Sequence, residues 1–183
     1  MKRSKEEAFI ELFFNEPTKQ WHFEELLKAT RISRKPAVRW LKIFQKKHLI
    51  RKVREKGKMP HYIAQYESPH YQNEKRIFAL SKMYKSGFLN HLMQLPKVSA
   101  VILFGSFVRG DWHKNSDIDV FVYGDCEGLQ IGKYELALNR DIQLFECENK
   151  KCLNKFPAGL LKNIVKGDIV KGNIDFLRVE INA

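Results

Sequence analysis

The sequence is poor in cysteine and lacks any long run of apolar residues. Its three cysteines, Cys126, Cys147 and Cys152, are odd in number, and no two have the spacing typical of a zinc site. We therefore expect reduced thiols in a cytoplasmic protein. No stretch approaches the roughly 20 apolar residues that a transmembrane helix needs, so no membrane partner is expected. Internal repeats are also absent, which excludes a repeat array.

Acidic residues are scarce in the first half of the chain. The 183 residues include 33 basic and 21 acidic side chains, for a formal charge of +12. Residues 1–96 hold 21 basic and 9 acidic residues, whereas residues 97–183 hold 12 of each. This asymmetry predicts two units with different partners, and it makes the basic half a candidate for nucleic-acid binding.

The basic residues of the first half follow a helical pattern. Three short helices are predicted before residue 48, and a strand, a glycine-bearing turn and a second strand follow up to residue 66. Spacings of 4, 3 and 4 place four basic residues of the third helix on one face: Lys35, Arg39, Lys42 and Lys46. The opposite side is predicted to be covered by Ala37, Val38, Trp40, Leu41 and Phe44.

Three helices followed by a basic hairpin resemble a winged helix-turn-helix domain, here over residues 1–66. The resemblance implies that the third helix enters the major groove of DNA and that the hairpin contacts the backbone. Residues 31–58, with twelve basic side chains and one acidic one, would then bind nucleic acid. Two alternatives remain open, a solvated basic helix face and a protein-docking module.

Residues 67–95 read as a connecting helical segment. Six apolar residues recur at helical spacing, namely Ile77, Leu80, Tyr84, Phe88, Leu92 and Leu95. This stripe predicts a packing face that either covers the second unit or pairs with another copy of the chain as a homodimer. Gly87 should weaken or kink the helix.

The second unit begins with a continuous apolar run, Val98–Phe104, which predicts a buried strand. The following Gly105 and Ser106 make a sharp exit, where glycine lets backbone N–H groups approach an anion, and a short helix with Arg109 is predicted to open at Phe107. Asp117 and Asp119 lie two apart on the next strand and therefore share a face. Two carboxylates on one face repel unless a cation lies between them, and oxygen-only ligands select Mg²⁺ or Mn²⁺.

A third carboxylate is expected at a catalytic site of this kind. Asp141 starts a predicted strand, 141–146, that can lie beside the strand of Asp117 and Asp119. His113 and Lys114 lie in the loop before Asp117. His113 is expected to be exposed, and Lys114 is expected either to be exposed or to reach phosphates. Three carboxylates and a phosphate cradle suit a two-metal site for in-line displacement at phosphorus.

The order Gly105-Ser106, Arg109-Gly110, Asp117-Ile118-Asp119 and then Asp141 resembles the DNA polymerase beta-type nucleotidyltransferases, and more narrowly the minimal nucleotidyltransferases of archaea and bacteria. The resemblance implies an α+β fold, with a small mixed-sheet domain over residues 96–183 behind the winged helix. It also implies roles: Gly105 and Ser106 bind the nucleoside triphosphate, Asp117 and Asp119 ligate both metals, and Asp141 ligates one metal and helps to deprotonate the acceptor. Arg109 is expected to hold the loop or touch phosphate.

The function implied is transfer of a nucleoside monophosphate from an NTP, with ATP favoured, to a hydroxyl on a protein, RNA or small molecule. Small members of the family are similar to the antitoxin-like half of toxin–antitoxin pairs, in which a helical protein is the target. The alternative is a DNA-binding transcriptional regulator whose nucleotidyltransferase fold binds nucleotide without catalysis.

Overall fold

The computed structural model describes residues 4–177, and the chain divides into two compact units. The first comprises the residues up to Ile77 together with Asp111–Lys114, and the second comprises Phe78–Gly110 and the chain from Asn115 onwards. The boundary between Ile77 and Phe78 lies inside a helix, within residues 67–95. The short segment Asp111–Lys114 belongs to the first unit although both of its chain neighbours belong to the second.

The first unit contains three helices and a small sheet. In chain order its elements are α1 (Lys5–Asn15), β1 (Trp21–His22), α2 (Phe23–Thr30), α3 (Arg34–Lys46), β2 (Ile50–Val53) and β3 (His61–Ala64). The strands form an antiparallel sheet in the order β1-β3-β2. Ser4 begins α1 with a capping box, in which its hydroxyl accepts the Glu7 N–H and the Glu7 carboxylate accepts the Ser4 N–H. Aromatic rings fill the space between α1 and α3, with the Phe9 and Trp40 centroids 5.9 Å apart.

The segment Asp111–Lys114 is anchored inside the first unit by Trp112. The Trp112 side chain is only 2% exposed and its ring lies edge-on to that of Phe14, with centroids 6.1 Å apart. The buried Lys75 ammonium donates a hydrogen bond to the Trp112 carbonyl and lies 4.5 Å from the ring centroid. The Lys114 N–H donates to the Asn15 carbonyl at 2.9 Å. The segment is therefore anchored through Trp112 and the Lys114 backbone, whereas the side chains of His113 and Lys114 are exposed.

Residues 69–94 form two helices, α4 (Pro69–Lys85) and α5 (Phe88–Gln94). The predicted kink at Gly87 is confirmed, because Gly87 adopts a left-handed conformation with φ of 81° at the start of α5. The predicted packing stripe is wrong along α4, where Ile77 and Tyr84 are each 61% exposed. The buried line of α4 is shifted to Tyr71, Lys75, Ala79 and Met83.

The second unit is built on a four-stranded mixed sheet in the order β6-β5-β4-β7, which is the α+β architecture expected from the sequence. Its elements are β4 (Val98–Phe104), α6 (Gly105–Arg109), β5 (Ile118–Gly124), α7 (Ile131–Leu138), β6 (Ile142–Cys147), α8 (Lys150–Leu153), α9 (Ala158–Val165), β7 (Asp168–Lys171) and a 3₁₀ turn (Asp175–Leu177). Strand β5 pairs antiparallel with β4 and parallel with β6. The sheet buries Ile102, Phe121 and Ile164 completely.

All three cysteines are free thiols. In the part of the chain that the structure describes, no helix combines the length and the hydrophobicity needed to cross a membrane.

Candidate active site

Gly105 lies directly against the Asp119 carboxylate. Strand β4 ends at Phe104, whose register partner on β5 is Asp119. Gly105 then takes a φ of +74°, and a Cβ built on it would lie 2.0 Å from Asp119 Oδ2. No other residue fits, because the conformation is left-handed and the space is already filled by a carboxylate. The sharp turn predicted at Gly105 is thus explained by the aspartate it faces.

Helix α6 starts at Gly105, two residues before the predicted opening at Phe107. Phe107 and Val108 are buried and anchor it to the sheet. Ser106 is half-buried, and its carbonyl accepts the Gly110 N–H at 2.9 Å. Arg109 is exposed, and its guanidinium is close enough to lower the pKa of Asp119. The structure therefore places Gly105 and Arg109 beside Asp119, as the sequence predicts.

Asp117 and Asp119 interact through their charges. Asp119 alternates along β5 with the buried Ile118 and Val120, and Asp117 directly precedes the strand, so the two carboxylates lie on the same side. Burial raises the pKa of Asp119 above its ordinary value, the Asp117 carboxylate raises it further, and Arg109 partly opposes both effects. A pair of carboxylates in this state favours a cation, and oxygen donors match a hard ion such as Mg²⁺.

Asp141 directly precedes β6, as Asp117 directly precedes the neighbouring β5. Ile118 and Ile142 are partners in the parallel ladder, and the Ile118 N–H donates to the Asp141 carbonyl at 2.9 Å. Asp141 is exposed at the start of β6. The predicted adjacency of the two strands is confirmed. Among residues 4–177, however, no group of three or more His, Cys, Asp or Glu side chains is arranged to hold a metal ion. Metal binding by the three aspartates stays a prediction. Of the three, Asp117 and Asp119 are close enough to interact electrostatically.

Two residues that the sequence did not single out lie beside these aspartates. The Arg140 guanidinium is half-buried over the Phe107 ring, 5.6 Å from its centroid. Burial lowers the pKa of Arg140, and the Asp117 carboxylate opposes that shift, so the two charges are neighbours. Glu135 on α7 accepts the Ile142 N–H through Oε1 at 3.0 Å. Arg140 precedes Asp141 directly, which is a visible signal, whereas nothing in the sequence points to Glu135.

The four basic residues of α3 form a separate surface in the first unit. Lys35, Arg39, Lys42 and Lys46 are all exposed, as their spacing predicts. Val38 was predicted to lie on the opposite, covered side, and this is wrong because its side chain is 43% exposed. Basic side chains of the hairpin between β2 and β3 are exposed as well, namely Arg51, Lys52, Arg54, Lys56 and Lys58.

Comparisons with known proteins place the second unit in a family. Residues 85–169 match the family model described as nucleotidyltransferase domain. A Methanocaldococcus jannaschii protein that carries the name protein adenylyltransferase is 33% identical over 75 residues, which cover 36% of this chain and 74% of the relative.

Two solved structures were also matched, each with a low TM-score. One is titled as a toxin–antitoxin crystal structure with AMP-PNP, with 26% identity, a TM-score of 0.33, and coverage of 55% of this chain and 74% of the other. The second carries the name of a nucleotidyltransferase from Sulfolobus solfataricus, with 16% identity, a TM-score of 0.29, and coverage of 54% and 84%. Membership of the family therefore follows from the sequence matches. By the family model and the Methanocaldococcus relative, the chain belongs to the nucleotidyltransferase family.

Proposed function

We propose that this protein transfers the AMP moiety of ATP to a hydroxyl group by a two-metal mechanism. The observation that carries the proposal is the packing of Gly105 against the Asp119 carboxylate, with the Asp117 charge beside it. The end of β4, the turn at Gly105 and the two carboxylates therefore lie next to one another. Such a point can hold a triphosphate and the cations that accompany it.

Each residue has a role in the proposed reaction. Backbone N–H groups at Gly105 and Ser106 bind the triphosphate, and Arg109 adds a positive charge at the same turn. Asp117 and Asp119 would hold Mg²⁺, which when bound supplies charge neutralisation on the phosphates. Asp141 would ligate one of the two metals, and it orients the acceptor hydroxyl and takes its proton. The acceptor oxygen forms a bond to the α-phosphorus, the bond between that phosphorus and the bridging oxygen breaks, and pyrophosphate leaves.

The acceptor that we favour is a hydroxyl-bearing side chain of another protein. The name of the Methanocaldococcus relative supports this choice, because protein adenylylation uses such hydroxyl groups. The chain would then act as the antitoxin-like half of a pair whose partner is a helical protein. A reading frame for a small helical protein beside the gene would favour this version over an RNA or small-molecule acceptor.

The test is a labelling experiment with two forms of ATP. The protein is incubated with Mg²⁺ and candidate acceptors, and with ATP labelled at either the α- or the γ-phosphate. The proposal expects α-label on the acceptor, no γ-label, and no transfer in EDTA. Transfer of γ-label would indicate a kinase instead. Nucleotide binding without any transfer would favour the alternative, a regulator that senses nucleotide.

We further propose that the first unit is a winged helix domain that binds nucleic acid. The exposed basic face of α3 and the basic hairpin after it support this proposal. Helix α3 would enter the major groove, with Lys35, Arg39, Lys42 and Lys46 near phosphates. If the full chain does not bind duplex DNA at low salt, protein docking remains as the role of this unit.

We also propose that α4 contributes to a homodimer. Ile77 and Tyr84 lie two turns apart on one face and both are 61% exposed. An interface on this face would remove both apolar side chains from water. The measurement is the mass of the full chain in solution, compared with the variant that carries both Ile77→Glu and Tyr84→Glu. An unchanged mass would remove α4 from the interface.

A further inference from the structure

The backbone on both sides of Asp117 is held by the two residues before β6. Arg140 Nη1 donates to the Ser116 carbonyl at 3.3 Å, and the Ile118 N–H donates to the Asp141 carbonyl at 2.9 Å. Ser116 and Ile118 are the immediate neighbours of Asp117. The position of Asp117 therefore depends on where residues 140 and 141 lie.

The segment that contains Asp141 is held in turn by one residue of α7. The Glu135 carbonyl accepts the Arg140 N–H at 3.2 Å, and Glu135 Oε1 accepts the Ile142 N–H at 3.0 Å. These two N–H groups flank Asp141 in the chain. Asn139 takes a left-handed φ of 53°, which turns the chain from α7 back towards Glu135. Glu135 thus hydrogen-bonds to the residues on both sides of Asp141. In the same way, Arg140 and Asp141 hydrogen-bond to the residues on both sides of Asp117.

The Arg140 side chain has little freedom to leave this arrangement. It is half-buried, it lies over the Phe107 ring of α6, and it is electrostatically coupled to Asp117. A planar guanidinium carries its N–H donors in a fixed fork beside a flat face that can lie on a ring, and the compact ammonium of lysine does not reproduce that geometry. Phe107 belongs to α6, which starts at Gly105. Arg140 therefore contacts both the helix of Gly105 and the loop that precedes Asp117.

We propose that Glu135 and Arg140 are positioning residues that together fix the separation of the Asp117 and Asp141 carboxylates. This inference rests on the proposed function, since the separation matters only if both aspartates serve one reaction. Each acts through a hydrogen bond to the backbone of a residue next to an aspartate rather than through contact with the reacting atoms. A displacement of about 1 Å in such a group can cost about 100-fold in rate, so these hydrogen bonds have a large influence on activity.

The test compares three glutamate variants of the full chain. Glu135→Ala removes the acceptor for the Ile142 N–H, Glu135→Gln keeps an amide oxygen there, and Glu148→Ala removes an exposed glutamate elsewhere in the second unit as a control. Three quantities are measured for each: kcat for AMP transfer, KM for ATP, and the affinity for Mn²⁺ by calorimetry. Thermal unfolding reports whether each variant is folded.

We expect Glu135→Ala to lower kcat and Mn²⁺ affinity by about 10- to 100-fold, as is usual when a residue that supports a metal ligand is removed. The KM for ATP should stay within about threefold, because the triphosphate turn at Gly105 is unaffected. Glu135→Gln should stay close to wild type in all three quantities. Arg140→Lys should lower kcat in the same way as Glu135→Ala, because it keeps the charge but loses the bond to Ser116 or the stacking on Phe107.

Three outcomes have different consequences. If wild type transfers AMP and Glu135→Ala matches Glu148→Ala in rate and Mn²⁺ affinity, the positioning role is overturned. If Glu135→Gln is as impaired as Glu135→Ala, the charge of Glu135 matters rather than its hydrogen bond, and the role is again overturned. If wild type binds Mn²⁺ but transfers nothing, while Glu135→Ala still weakens Mn²⁺ binding, the positioning role is supported and the proposed reaction fails.

Discussion

The two units present their candidate functional residues in opposite ways. In the first unit they are long basic side chains on the open face of α3, each exposed to solvent. In the second unit they are short carboxylates set against a glycine and against each other. A surface of exposed charges acts by summed electrostatics and should lose function gradually. A site defined by contact should lose function abruptly, because a displacement of a fraction of an ångström changes its chemistry.

The strongest test of this contrast is Gly105→Ala. The new methyl group would lie 2.0 Å from Asp119 Oδ2, so either the turn or the carboxylate must move. We expect transfer to fall by about 100-fold or more, since misplacement of a positioned group is this costly. The measurement is AMP transfer at saturating ATP and Mg²⁺.

Gly128→Ala provides the matched control for Gly105→Ala. Gly128 also has a positive φ, of +88°, but nothing lies within 4 Å of its added Cβ. Both variants therefore bear a similar left-handed strain of about 1–2 kcal/mol, and only Gly105→Ala adds a clash. Equal loss of transfer in the two variants would show that backbone strain, and not the contact with Asp119, is responsible.

The second test asks whether the third carboxylate acts separately from the other two. Asp141→Asn keeps the shape of the side chain and removes its charge, while Asp117 and Asp119 remain. We expect AMP transfer to fall by about 100-fold or more, because general-base catalysis alone contributes about that factor. Binding of ATP with Mg²⁺, measured by calorimetry, should persist. Loss of ATP binding in Asp141→Asn would instead place Asp141 in the nucleotide site.

The third test concerns the basic face of α3 and should give a smaller, graded effect. Each phosphate contact removed should reduce the slope of log K against log salt by about 0.9. We expect Lys42→Ala to weaken duplex DNA binding by the full chain and to flatten the slope by that amount, and Arg39→Ala together with Lys42→Ala to flatten it by about twice as much.

The control for the α3 variants is Lys162→Ala, which removes an exposed lysine of α9 in the second unit. It should leave both the DNA affinity and the salt slope unchanged. AMP transfer should be unchanged in all three lysine and arginine variants. A loss of DNA affinity in Lys162→Ala equal to that of Lys42→Ala would mean that net charge, rather than the α3 face, determines binding.

The same contrast explains how much the sequence could predict. Spacing on a helix or strand indicates which residues share a face, and this is enough to predict the exposed basic face of α3 and the neighbourhood of Asp117 and Asp119 at the start of β5. Spacing does not indicate which element covers that face. Helical spacing predicts that Ile77 and Tyr84 pack, yet the buried line of α4 runs instead through Lys75, Ala79 and Met83.

Residues held by contacts distant in sequence were also beyond prediction. Trp112 lies in a loop by its sequence context, but its ring packs against Phe14, almost a hundred residues away, within the first unit. Glu135 reads as an ordinary surface residue of α7, and only the turn at Asn139 brings its carboxylate to the Ile142 N–H. Such contacts arise from tertiary packing and leave no periodic signal.

The smallest expected effect concerns the stability of the fold with Asp119→Asn in metal-free buffer. Burial, with a contribution from Asp117, raises the pKa of Asp119, so the folded chain binds this proton more tightly than the unfolded chain does. As the pH falls through the raised pKa of Asp119 towards the unfolded value of about 3.9, proton binding by this carboxyl increases the stability of the fold. At neutral pH its ionised form lowers that stability.

Asp119→Asn removes that ionised form. We expect its thermal midpoint to exceed that of wild type slightly at neutral pH in EDTA, and the difference to disappear below the unfolded pKa. Asp175→Asn, at an exposed aspartate, should change nothing. A lower midpoint for Asp119→Asn at neutral pH would show that the attraction of Arg109 outweighs burial, and the carboxylate pair would then be stable without a cation.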